Sequence, residues 1–377
     1  MEKIKGKNSD FLLVLIVVLL IGVGVTVLFS ASYSHAEKLG KESGFFLFKQ
    51  LSWILIGCLA AFLMSYTPLE MLKKAIPWIL LLALVLSLLT FIPFIGEPIS
   101  GARRWIFFFG QSFQPSEFVK FALVLYLAHI LSRKKKSISE PAGQILPPLI
   151  VVLTFVVIIY FQNDFSTAFF ILFIALSLFF IANIRPIFFI LFCSLIVPVC
   201  AVLIFTKVYW VKKLMVFLNP EIDPSGTGWQ IIQARSALVQ GGLFGRGLGK
   251  GIKKLGSLPE AHTDFIFAIV GEEMGLIGVL FVITLFILFC YRGYLITWKC
   301  RDPFKYYLSF GITSLIFIQA ILNMSVVVGL IPATGIPLPF FSLGGSSIFI
   351  SLVLVGLLIN ISRSFPDDML TGRLEVI

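Results

Sequence analysis

Residues 258 to 275 read LPEAHTDFIFAIVGEEMG and gather Glu260, His262, Asp264, Glu272 and Glu273 into a chain with 19 acidic residues among 377. Carboxylates and imidazoles accept and return protons near neutral pH, so this stretch could support general acid-base chemistry. A matching cation stands in QPSEFVK, residues 114 to 120, where Lys120 enters an apolar run. A lysine near a helix N-terminus is opposed by the dipole, and inside hydrocarbon it costs about 2.5 to 3.5 kcal/mol unless it snorkels or pairs. It calls for an acid. If both stretches open helices from the same side, Asp264 lies at the depth of Lys120 and is its natural partner. Glu117, in the first turn opened by Pro115, is accounted for by the dipole. At about 100° per residue, Glu272 falls about 80° round the helix from Asp264 and deeper, facing the same cavity or a neighbouring helix. Glu273 faces nearly the opposite way, toward an interhelical contact or neutralisation in place. His262 and Glu260 precede the helix, either solvated or lining an entrance.

Two further stretches could bind anions. GARRWIFFFG, residues 101 to 110, sets Arg103 and Arg104 beside Trp105. Guanidinium groups grip diphosphate oxygens bidentately and an indole covers a sugar face; an aromatic belt flanked by headgroup-binding arginines has the same composition. GGLFGRGLGKGIKKLG, residues 241 to 256, resembles a phosphate loop but fits neither named pattern: Phe244 stands where Walker A needs glycine, and GxGxxG lacks its third glycine. Nucleotide binding is not indicated. What remains is a loop bearing Arg246, Lys250, Lys253 and Lys254, suited to a diphosphate or to anionic headgroups through charge and free backbone N–H groups. The five cysteines include no CxxC pair, so neither a disulfide framework nor a zinc site is indicated.

These groups must be positioned by membrane helices. At 58% hydrophobic and 13% charged residues, with a mean hydropathy of +1.01, the composition excludes an ordinary soluble domain. Apolar runs near 11–30, 46–65, 75–95, 114–132, 145–161, 168–184, 187–206, 265–291, 304–329 and 345–362 predict an all-α polytopic protein of about ten transmembrane helices, a single domain over 1–377. An even number puts both termini on one side. That side carries sixteen basic residues, against Lys38, Lys41, Arg103 and Arg104 on the short loops opposite, so both termini are expected in the cytoplasm. The net charge of +11 then reads as loops facing anionic headgroups, with no nucleic acid involved. Residues 207–264 form a long outer loop between helices 7 and 8, too long for idle connection. Within it, WQIIQARSALVQ, residues 229 to 240, is too short to span but could lie in the interface. The uncharged loop GLIPATGIPLPFFSLGGSS, residues 329 to 347, needs surrounding protein or a water-filled cavity at membrane depth.

In the order GARRW, QPSEFVK, DPSGTGWQ, GGLFGRGLGKG, LPEAHTDFIFAIVGEE and GLIPATGIPLPFFSLGGSS, the chain resembles the shape, elongation, division and sporulation family, FtsW/RodA-like, over essentially its whole length. The resemblance implies a peptidoglycan glycosyltransferase of the cytoplasmic membrane. It would polymerise lipid II, the undecaprenyl-diphosphate disaccharide-pentapeptide, on the outer face. It implies Asp264 as the essential catalytic residue, Lys120 as its ion-pair partner, and functional importance for Arg104 and Trp105. Arg103 and the 246–254 loop would hold diphosphate, and a divalent cation, Mg or Mn, could accompany it. A class B penicillin-binding protein is the implied partner, beside other divisome or elongasome membrane proteins. The chain departs from the family pattern at QNDFSTA, residues 162 to 168, which weakens a role for Asp164, and at Ser325. GARRW and AHTDFIFAIVGEE look more like the division branch. A flippase or transporter for the same lipid is the rival reading. Transporters, however, place polar sites near the midplane between inverted repeats, and no repeat is evident here.

Overall fold

The computed structural model describes residues 10–364 apart from 100, 109–110, 134–140, 185–186, 188–189, 191–193, 195–207 and 224–225. The helices are α1 (Phe11–Lys38), α2 (Phe45–Tyr66), α3 (Leu69–Leu89), α4 (Pro115–Ser132), α5 (Pro141–Phe161), α6 (Phe165–Ile181), α7 (Val208–Leu218), α8 (Thr227–Gly241), α9 (Ile266–Lys299), α10 (Pro303–Val328) and α11 (Gly345–Ser362). Seven of these are long and apolar enough to cross a membrane; the apolar stretches Ile145–Phe161 and Phe165–Ile181 are shorter. The seventh expected span, near 187–206, falls largely outside the described residues.

Among the described residues, helices occupy nine of the ten expected apolar runs, with two physical adjustments. The third lies at Leu69–Leu89, six residues before its hydropathy window, because the apolar Phe91 and Ile92 belong to a turn that leads into strands. Hydropathy cannot tell an apolar turn from an apolar helix. The helical architecture is joined by a small antiparallel sheet in the order β1 (Gly96–Ile99), β2 (Ala102–Phe108), β3 (Gln111–Phe113).

The second adjustment concerns α9, which is broken at Gly275, where φ is 66° and ψ is −164°. The 24 residues from Leu276 to Lys299 would reach about 36 Å, enough to cross about 30 Å of hydrocarbon unaided. Residues Ile266 to Met274, buried but for half-buried Met274, thus belong to the end of the bundle where the long loop lies.

The most enclosed helices are α11 and α4, whose apolar windows are 78% and 72% buried, against 17% for α2. Small residues let α2 and α11 approach: a Cβ on Gly356 would meet the Ala61 backbone at 2.4 Å. At the other end, Asp10 caps α1 through the Leu13 N–H and takes a charge-assisted bond from Arg292 on α9 at 2.6 Å, and its own N–H donates to the Ser362 hydroxyl, which ties the start of α1 to the end of α11. The sheet, α7, α8 and the 329–344 loop all gather at the opposite end.

Candidate active site

Three backbone segments meet at that end. The β1–β2 hairpin is stitched to the α5–α6 turn: the Arg103 N–H donates to the Gln162 carbonyl at 3.1 Å, and the Asn163 amide donates to the Gly101 carbonyl at 2.9 Å. Asp164 caps α6 by accepting the Thr167 N–H and takes a second bond from the Gln114 amide at the start of α4. The QNDF segment, discounted in the sequence, is thus what fixes the hairpin that carries Arg104.

The second segment is 262–264. The Leu343 N–H donates to the His262 carbonyl, the Ser342 hydroxyl to the Thr263 carbonyl at 2.6 Å, and the Asn323 amide to the Asp264 carbonyl at 2.9 Å. The same Asn323 amide donates to the Ile336 carbonyl, and the Gln319 amide donates to the Pro337 carbonyl. The third segment, the proline-rich 329–344 loop, is therefore tied to α10, and Ile336, Leu338, Phe340 and Phe341 are buried beneath it. The later half of its irregular backbone, from Ile336 to Ser342, is packed in protein, while Leu330 is exposed.

Asp264 lies just ahead of α9 and is half-buried. Burial pushes its carboxyl up to about 6; Arg104 and Lys213 pull it down, while Glu260 and Asp164 push it further up. Arg104 Nη1 lies 3.8 Å from an Asp164 oxygen, too far for a hydrogen bond, and its Nε is buried with no hydrogen-bond partner among the described residues. A Cβ on Gly335 would stand 3.2 Å from Arg104 Nη1 and 3.7 Å from Asp264 Oδ2, so Gly335 walls the gap between the two side chains. Trp105 is half-buried on β2 and Arg103 is exposed. The Arg104 guanidinium thus lies between two carboxylates, and a cation so placed is chemically suited to an anion.

Several expectations are corrected here. Lys120 does not pair with Asp264. Its ammonium bonds Glu117 at 2.8 Å, one turn back on α4, and the Gln319 carbonyl oxygen at 2.8 Å. Glu117, read as a dipole complement, is the buried counter-ion, since an acid three residues away neutralises the lysine without any distant partner. The cations acting on Asp264 are Arg104 and Lys213 instead. Lys213, on α7, was missed, as were Gln319 and Asn323; the only signal for Lys213 was a lysine pair inside an apolar amphipathic stretch.

Glu272 does not face a substrate cavity, while Glu273 makes the expected interhelical contact, accepting the Ser30 hydroxyl of α1. Both carboxylates grip the glycine-rich loop. Glu272 accepts the backbone N–H groups of Ile252 and Lys253; Glu273 accepts those of Gly249 and Gly251, together with the Ser30 hydroxyl and the Lys254 ammonium. The break at Gly275 explains how neighbours on one helix reach one loop. The Leu276 and Ile277 N–H groups donate to the Gly242 and Leu243 carbonyls, and the Arg246 and Gly247 N–H groups donate to the Glu272 and Glu273 carbonyls. The loop is plugged into the severed helix. A Cβ on Gly245 would meet the Glu273 carbonyl oxygen at 2.2 Å, so the close approach needs glycine. The anions this phosphate-loop-like stretch binds are the protein's own, which overturns the expectation of backbone N–H groups free for diphosphate. Lys253 bonds the Gln233 side chain and Lys254 is buried, while Lys250 is exposed and Arg246 half-buried.

His262 stacks on His35 of α1 with ring centroids 4.4 Å apart. Burial, then the His35 charge, lowers its pKa to about 4 against a smaller upward pull from Glu260, so the ring is neutral at physiological pH. Among the described residues, no three His, Cys, Asp or Glu side chains converge to hold a metal ion.

A sequence profile of the family described as "Cell cycle protein", FtsW, RodA and SpoVE, matches residues 11–366. The chain is 40% identical over 365 residues to the "Probable peptidoglycan glycosyltransferase FtsW" of Trichlorobacter lovleyi, covering 97% of this chain and 96% of that one. It is 38% identical over 366 residues to the protein of the same description in Borreliella burgdorferi, covering 97% and 99%. Among solved structures it is similar to a chain described under "Structural coordination of polymerization and crosslinking by a peptidoglycan synthase complex", with 26% identity, a TM-score of 0.78, and coverage of 95% of this chain and 98% of that one.

Proposed function

The chain belongs to the FtsW, RodA and SpoVE family of cell cycle proteins, and on that premise we propose how it works as a peptidoglycan glycosyltransferase of the membrane, acting as one transmembrane unit. The substrate is lipid II. The anomeric carbon of the growing strand, activated by its undecaprenyl diphosphate, is attacked by the 4-hydroxyl of an incoming lipid II sugar. A glycosidic C–O bond forms as the bond to the diphosphate breaks, and the hydroxyl proton passes to Asp264, the general base. Arg104 takes the diphosphate and stabilises the charge that develops on it, with Trp105 against a sugar face and Arg103 at the rim. A Mg or Mn ion, where one takes part, would arrive on the diphosphate oxygens. Arg246 and Lys250, on the latched loop, face lipid headgroups, and neutral His262 shapes the entrance beside Asp264.

The observation that carries this reading is the juxtaposition of a carboxyl raised to about 6 with a guanidinium whose buried Nε has no partner. Burial and charge set the base close to the working pH, and the guanidinium beside it, its side chain 25% exposed, can meet the leaving group. The flippase reading gains nothing from the broken helix, since the polar groups at Gly275 are filled by the chain's own loop. Both termini are assigned to the cytoplasm from the basic bias, which sets the site at the outer surface, where lipid II presents its sugars. The relative structure described as coordinating polymerization and crosslinking supports a crosslinking partner. We assign that role to a class B penicillin-binding protein, within a divisome or elongasome assembly. The test is purified protein given labelled lipid II, with and without a candidate transpeptidase, and glycan polymer read on a gel. Polymer is expected with the partner present. No polymer, together with movement of labelled lipid II across vesicles, would favour the flippase.

A further inference from the structure

Lys120 is 3% exposed and its bonding is complete within its own surroundings. Glu117 neutralises it at 2.8 Å, the Gln319 side-chain oxygen accepts from it at 2.8 Å, and the Phe170 ring lies with its centroid 5.4 Å from the ammonium. A lysine ammonium only donates, so it forces the oxygen end of the Gln319 amide toward itself and the NH2 end away. That NH2 end donates to the Pro337 carbonyl at 3.0 Å. Pro337 has no N–H of its own, so its carbonyl is the handle by which the backbone can be held there. One helical turn on, Asn323 donates at 2.9 Å to the Ile336 carbonyl and at 2.9 Å to the carbonyl of Asp264 itself. Gln319 and Asn323 thus fasten consecutive loop residues from one face of α10, and Gly335, next in line, walls the gap between Asp264 and Arg104.

We propose that Gln319 is a positioning residue for Asp264: its amide transmits the fixed position of Lys120 to the 335–337 loop, so Lys120 serves the reaction through Gln319 and not as the counter-ion of Asp264. This inference rests on the glycosyltransferase reading given above. The charged groups facing Asp264 are Arg104, Lys213, Glu260 and Asp164, and Lys120 is not among them. Removing either end of the relay lets the wall of the site relax. A displacement on the order of 1 Å is enough to cost up to about 100-fold in rate.

The test uses the full-length protein with its transpeptidase partner, lipid II polymerisation followed from pH 5 to 8, and the variants Gln319→Met, Lys120→Met and the double. Each single variant is expected to lower kcat at least about 10-fold with KM for lipid II little changed. The double should be no slower than the slower single, because both changes cut one relay. The acid limb of the kcat profile should stay where the parent has it. A pairing of Lys120 with Asp264 predicts instead that Lys120→Met moves that limb upward and that the two penalties multiply. Either result overturns the proposal, as does parental kcat in folded Gln319→Met. If Gln319→Met fails to fold, Gln319→Glu decides: it keeps an oxygen for Lys120 but loses the donor to Pro337, and parental kcat in that variant rejects the relay. A parent that makes no polymer would reject the glycosyltransferase reading itself, a separate failure visible before any variant is compared.

Discussion

Burial lifts the Asp264 carboxyl to about 6, and Arg104 and Lys213 keep it from rising further. Two predictions follow from that balance. Under the proposed mechanism Asp264 acts as a base only when ionised, so polymerisation should fall as the pH drops through about 6, and Asp264→Asn should insert and bind its partner yet polymerise at least about 100-fold more slowly. The same shift makes a stability claim. Because the folded value lies above the ordinary 3.8, the unfolded chain gives up its proton first as the pH rises, and folding loses stability between about 4 and about 6. The parent at pH 7 therefore carries a cost that an uncharged amide escapes. Asp264→Asn should melt at a higher temperature than the parent at pH 7, with the difference shrinking as the pH is lowered toward 4. Equal melting temperatures across that range would show that the carboxyl is not held up by burial.

At the scale of elements, the latch between α9 and the 241–256 loop accounts for two of the acids that drew attention in the sequence. Glu273 and Lys254 form a buried ion pair in which one carboxylate serves a lysine, a serine and two backbone N–H groups. Removing the charge from one side leaves the other stranded, so Glu273→Gln should cost about 3 kcal/mol, the low end for breaking a buried pair. It should lower the melting temperature and speed proteolysis within 241–256, while losing far less polymerase rate than Asp264→Asn. Unchanged melting and unchanged cleavage would mean the loop is held by something else. Gly275→Ala attacks the same latch from the backbone. Its φ of 66° is strained for alanine, and a Cβ would meet the Gly245 nitrogen at 2.3 Å, so the penalty should be at least about 1 kcal/mol by thermal unfolding.

For the whole molecule, the deciding quantity is which face of the membrane carries the site. The ends of α1 and α11 meet through Asp10 and Ser362, at the end opposite the sheet and the long loop. The proposed orientation rests on charge, with basic residues crowding the loops on the side of the termini. In a background lacking the five native cysteines, Lys250→Cys and Ser257→Cys should each react with an impermeant thiol reagent added outside intact cells. Labelling only after permeabilisation would reverse the orientation and remove Asp264 from the face where lipid II presents its sugars.

Length, hydropathy and charge determined that the chain is a bundle of membrane helices, with a short non-spanning helix in its long loop and an Asp264 set just ahead of a helix, because these depend on local composition and on the thickness of the bilayer. The order of the motifs sufficed for the family. The partners of each charge were decided by tertiary structure. Lys120 and Asp264 are matched in sequence-derived depth, but Glu117, on the same helix and three residues away, neutralises the lysine first. Helical angles put Glu272 and Glu273 on different faces, yet a break at Gly275 lets one loop wrap the severed end and reach both. The glycine-rich loop read as backbone N–H groups free for an outside anion, and nothing in the sequence singled out Gln319 and Asn323. A polar group inside a membrane bundle must find partners wherever the fold brings them, and the fold brings them from distant segments, 199 residues away for Lys120 and Gln319.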